Sequence, residues 1–120
     1  DDAAALSVAI NNPELDVELV TTVAGNVTVD KTTINALKII NFFGKGTEIP
    51  VAAGAVQPLI KPFEDAARIH GESGMSGYDF HGELPKPLKE TAVQAMHRVI
   101  MASDEPITLV ATYYIRASGT

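Results

Sequence analysis

The chain has 120 residues, 46% hydrophobic and 20% charged, which is enough apolar material for one domain and too little charge for a disordered chain. A net charge of −6 disfavours nucleic acid and anionic membranes as partners, because both demand a basic face. There is no cysteine, which removes disulfides and thiolate metal sites and fits a cytoplasmic location, and no apolar run reaches the roughly 18 residues of a membrane span.

The first element is a helix. "DDAAALSVAI" places Asp1 and Asp2 at its tip, where carboxylates favour the amino-terminal dipole, and "NNP" stops it after about Ile10. "LDVELVTTVAG" is rich in Val, Leu and Thr and predicts a buried strand over Val17 to Val23. A second helix follows, with Ala36, Leu37, Ile39, Ile40 and Phe43 near a 3.6 period and Gly44 or Gly46 at its end. "IPVAAG", Ile49 to Gly54, is a second short strand.

Residues 55–87 are the least regular part. They hold four of the seven prolines and two of the three histidines, and read as a long mobile loop. "LKETAVQAMHRVIMAS" then puts Leu88, Ala92, Met96 and Val99 on one helical face, and Ile107 to Ala111 reads as a third strand. The alternation predicts one α/β domain over residues 1–120, an open, mostly parallel sheet with flanking helices. A sheet of this kind normally opens on a strand, so a helix in first place predicts that a preceding strand is missing.

Four places offer chemistry. Asp1 and Asp2 are paired oxygen donors suited to a hard cation, and helix capping is the plainer reading. "TTVAGN", Thr21 to Asn26, lies where a strand runs into a loop, the usual ligand position in open α/β sheets. There Gly25 would permit a sharp turn or close approach, and Asn26 would bond a hydroxyl. "HGESGMSGYDFHG", His70 to Gly82, concentrates polar groups in a loop, with His70 and Glu72 the sharpest and His81 less constrained. His97 lies mid-helix and reads as exposed or locally packed.

Taken together, "DDAAAL", "TTVAGNVTVDKTTINAL" and "IPVAAGAVQPLIKPFEDAARIHGESGMSGYDF" resemble the amino-terminal part of the inosine–uridine-preferring nucleoside hydrolases over about residues 1 to 111. The "DD" looks like the end of that family's Asp-Pro-Gly-x-Asp-Asp turn. The resemblance implies calcium-dependent hydrolysis of the N-glycosidic bond of ribonucleosides, a step in purine and pyrimidine salvage, often by a homo-oligomer. By position it implies Asp1 and Asn26 as ribose contacts, His70 at the base pocket and Asp2 as a calcium ligand, with Glu72 and Tyr78 nearby. The family's general base would precede Asp1. The match ends near Ala111, and residues 112–120 diverge from the family's Gly-Pro-Leu-Thr-Asn type of stretch. The expectation is a truncated or degenerate nucleoside hydrolase, inactive alone. The alternative is a non-catalytic ribose- or calcium-binding or structural fragment.

Overall fold

The computed structural model describes residues 2–60, 62–63, 71–75 and 82–112. Among them the order is α1 (Asp2–Asn11), β1 (Val20–Thr22), α2 (Val29–Phe42), β2 (Val51–Ala53) and α3 (Ala92–Ala102). The two strands pair in parallel, Val20 with Val51 and Thr22 with Ala53, with α2 as the crossover between them. Both α2 and α3 touch both strands and do not touch each other, so they cover opposite faces of the sheet; α1 packs on α2.

The core follows from α2's period. Val29, Thr33, Ala36, Leu37 and Ile40 recur at three- and four-residue steps and are buried, while Asp30 and Ile34 between them are exposed. Ala36, Leu37 and Ile40 meet Ile49 and Val51, and Leu6, Ile10, Val17 and Val20 pack around that centre. Ile40 and Val51 are fully enclosed, each worth about 1.5–3 kcal/mol of apolar burial. Gly44 closes α2 in a left-handed turn: its N–H donates to Asn41 O at 3.0 Å and the Lys45 N–H to Ile40 O at 3.0 Å.

The α/β class and the parallel pairing agree with the sequence reading, and several boundaries do not. The first strand is three residues long and half-buried, not a buried run from Val17 to Val23. Its ladder extends only as far as β2 does, and Val17 joins the core from irregular chain. The last helix starts at Ala92, not Leu88, because Thr91 and Gln94 form a reciprocal capping box that fixes its first turn. Leu88 instead donates its N–H to Val51 O at 2.7 Å. The expected third strand, Ile107 to Ala111, is absent: the segment is exposed and makes no ladder with β1 or β2. Of the long loop, only 55–60, 62–63, 71–75 and 82–87 are described, and they hold no helix or strand; 113–120 lie outside the described residues.

Candidate functional site

The carboxyl end of β1 is tied down by threonines. Thr22 O accepts from Gly54 N–H at 2.8 Å, and Ala24 N–H reaches Ala55 O at 3.1 Å, so the two strands leave the sheet side by side. From α2, Thr32 Oγ1 donates to Val23 O at 2.9 Å. The Thr22 and Thr33 hydroxyls lie 2.7 Å apart, and Thr33 donates back to Val29 O. The amino end of α2 is therefore bonded to the carboxyl end of β1. Between them, Gly25 N–H donates to Val27 O at 3.0 Å, making a tight turn with Val27 buried and Asn26 exposed at its tip. Asn26 thus sits where open α/β sheets hold ligands. Gly25 needs none of glycine's freedom: its φ is not positive and a Cβ there would meet nothing within 4 Å.

Residues 71–75 lie against this turn and along α2. Asn35 Nδ2 donates to Ser73 O at 2.5 Å, and Lys31 Nζ pairs with Glu72 Oε2 at 3.2 Å. Gly74 has φ 77°, and a Cβ on it would come within 3.0 Å of a Val27 methyl and 3.3 Å of Asn35 Nδ2. Only glycine fits so close to the Asn26 turn. The next residue, Met75, lines an apolar cleft of about 270 Å³ with Ala3, Ala4 and Ser7 of α1 and Ile39, Phe42 and Phe43. The 71–75 segment therefore spans from the turn holding Asn26 to the first turns of α1, and brings the three motif stretches together. A smaller cleft of about 120 Å³, with Asp16, Lys45 and Glu48 on its rim, lies toward the amino ends of the strands, the wrong end for an α/β ligand site.

Asp2 is the first residue of α1 and is exposed, its charge favourably placed on the helix dipole. It shares no hydrogen bond with Asn26 among the described residues. Asp1, His70, Tyr78 and His81 lie outside the described residues. Glu72 is 93% exposed at its side chain and turned toward Lys31. His97 is exposed on α3. Calcium takes roughly six to eight oxygens. Of the two aspartates at the chain's start only Asp2 is described, and no group of three ligating side chains forms among the described residues. This donor set does not by itself make a calcium site. The sequence reading missed Lys31, Thr32, Thr33 and Asn35. The i, i+4 spacing of Lys31 and Asn35 on one side of α2 was the available signal.

Comparison with known proteins completes the picture. The profile of the inosine-uridine preferring nucleoside hydrolases matches residues 1–112. The chain is 53% identical over 111 residues to the non-specific ribonucleoside hydrolase RihC of Klebsiella pneumoniae subsp. pneumoniae, covering 92% of this chain and 36% of that protein. It is 52% identical, with the same coverage, to the protein of that name from Salmonella paratyphi B. It therefore spans about a third of the length of these relatives. Among solved structures it superposes on the purine-preferring ribonucleoside hydrolase from Gardnerella vaginalis with a TM-score of 0.76 at 28% identity, covering 84% of this chain and 33% of that one. An inosine-guanosine nucleoside hydrolase shares the fold with a TM-score of 0.74 at 24% identity, over 88% of this chain and 32% of that one.

Proposed function

This chain belongs to the inosine-uridine preferring nucleoside hydrolase family, and from that membership we propose that it forms the ribose-facing segment of an enzyme that hydrolyses ribonucleosides to ribose and free base. The observation that supports this reading is the meeting of the three motif stretches: residues 71–75 bridge the Asn26 turn and the first turns of α1.

In this reading Asn26 hydrogen-bonds the ribose hydroxyls from the carboxyl end of β1. Asp1 accepts a hydrogen bond from a ribose hydroxyl, and His70 serves the base. The bond from ribose C1′ to the base nitrogen breaks, water adds to C1′, and the base leaves with a proton. The transition state resembles an oxocarbenium ion, so a carboxylate beside the ribose stabilises the positive charge that develops there. Calcium, with Asp2 as one ligand, belongs to the same reading, although the described donors by themselves fall short of a site. A cytoplasmic location and homo-oligomeric assembly also belong to it. No helix among the described residues is long and apolar enough to cross a membrane.

The 120 residues by themselves bind nucleoside without turning it over. Groups that act as a unit lose nearly all catalysis when some are absent, and the chain spans about a third of the length of its relatives. The test assays ribose release from inosine and uridine, with calcium and with EDTA, on protein shown folded by circular dichroism. Inosine binding is followed by NMR in the same samples. Expected are no ribose release, saturable shifts around Asn26, and roughly tenfold weaker binding in Asn26→Ala, the loss of about one hydrogen bond. Calcium-dependent release would refute inactivity of the isolated chain. Absence of saturable inosine binding by folded protein would refute the ribose-facing role.

A further inference from the structure

Residues 71–75 form a turn that is closed within itself. Gly74 N–H donates to Gly71 O at 3.1 Å, and both glycines take left-handed φ, 79° at Gly71 and 77° at Gly74. Met75 N–H donates to the Ser73 hydroxyl at 3.2 Å. Such a turn needs only to be seated, and α2 reaches it twice. Lys31 Nζ pairs with Glu72 Oε2, but the Glu72 side chain is almost wholly exposed, and an ion pair in that setting contributes little and is screened by salt. Asn35 Nδ2 donates to Ser73 O from a half-buried side chain. That bond grips the main chain of the turn, not the tip of a long side chain.

The seat continues to Asn26. Gly74 lies against both Val27 methyls and beside Asn35 Nδ2, the three atoms nearest to where its Cβ would stand. Val27 is buried, and its carbonyl accepts the Gly25 N–H that closes the turn with Asn26 at its exposed tip. Asn35, Ser73, Gly74, Val27 and Asn26 thus form one continuous series of contacts. A turn already held in one geometry has less freedom to lose when a ligand arrives.

We propose that Asn35 is a positioning residue for nucleoside binding: by holding Ser73 O it seats Gly74 on Val27 and so fixes the turn that presents Asn26, without itself touching the nucleoside. This rests on the reading that Asn26 contacts the ribose.

Amide and methyl NMR spectra of the 120-residue chain, first free and then titrated with inosine, test it. Asn35→Asp keeps the shape of the side chain and, at neutral pH, removes the donor. The expected variant keeps its circular dichroism and melting temperature. Its Gly74 and Asn26 amides and Val27 methyls shift, and it binds inosine roughly fivefold more weakly, about what one hydrogen bond is worth. Gly74→Ala crowds Val27 from the other side of the contact and gives the same signature. Wild-type protein at high salt, with the Lys31–Glu72 pair screened, does not. Shifts at Gly74 that leave Asn26 and Val27 in place overturn the proposal. So does unchanged inosine affinity in either variant, or the same loss produced by salt alone. A lowered melting temperature with unchanged affinity would make Asn35 a structural residue only. Failure of the folded wild type to bind inosine overturns the ribose contact, whereas the ligand-free shifts separately support or overturn the hold of Asn35 on the Asn26 turn.

Discussion

Gly54 is held to glycine by a backbone oxygen. A Cβ at that position would stand 2.6 Å from Thr22 O and 3.1 Å from the Ala92 side chain, between the ends of the two strands and the first residue of α3. The oxygen belongs to the ladder and cannot swing away. Gly54→Ala therefore forces the strands apart, at a cost of about 1–3 kcal/mol. Urea unfolding checks it: the midpoint falls while the slope is kept. Gly25→Ala is the control, with open space around it, and shifts stability by less than about 0.5 kcal/mol. The sequence reading singled out Gly25 and gave Gly54 only as the end of the second strand. Gly25 stands inside a suggestive motif, whereas the demand on Gly54 comes from residues 32 and 38 positions away, which no local pattern reports.

At the scale of an element, the start of α3 combines a cap with an ion pair. Thr91 Oγ1 accepts from Gln94 N–H at 3.3 Å and the Gln94 side chain accepts from Thr91 N–H at 3.0 Å. Thr91→Ala loses one half of this box, and thermal unfolding is expected to register about 1 kcal/mol of lost stability. Just before the cap, Arg98 Nε donates to both Glu90 oxygens, at 3.0 and 2.9 Å. The hydrogen-bonded guanidinium holds the Glu90 carboxyl below its ordinary value, and Glu90 in turn raises that of Arg98. A carboxyl depressed by folding adds stability above its unfolded pKa, and that contribution is lost as pH falls through the folded value. Both groups are solvent-exposed, so the effect is small and screened by salt. An NMR titration is expected to place the Glu90 midpoint below that of a free glutamate, and Arg98→Gln to restore it. An unchanged midpoint in Arg98→Gln would exclude the guanidinium as the cause.

At the scale of the whole molecule, the core is one-sided. The tightest packing lies between α2 and the strands, where Ile40, Val51 and Ala52 are wholly or nearly enclosed. On α3, Ala92 and Ala95 are buried while Val93 is 72% and Met101 72% exposed. Val8, Leu59, Leu109 and Val110 are exposed as well. The sequence by itself determined the class of fold, the helix period of α2 and a stop to that helix at Gly44 or Gly46, because apolar spacing and turn chemistry are local properties. It also determined the family, through short motifs whose order along the chain is specific. Tertiary structure decided which β-type runs became strands. Val20–Thr22 and Val51–Ala53 found each other, while Ile107–Val110, also rich in strand formers, joins no ladder among the described residues, because a strand exists only where a second backbone receives its hydrogen bonds. Tertiary structure also decided that the Glu72–Met75 stretch lies on α2 beside Asn26. Lys31, Asn35 and the space left by Gly74 hold it there, and contacts across some forty residues of chain are fixed by packing, which no local pattern encodes.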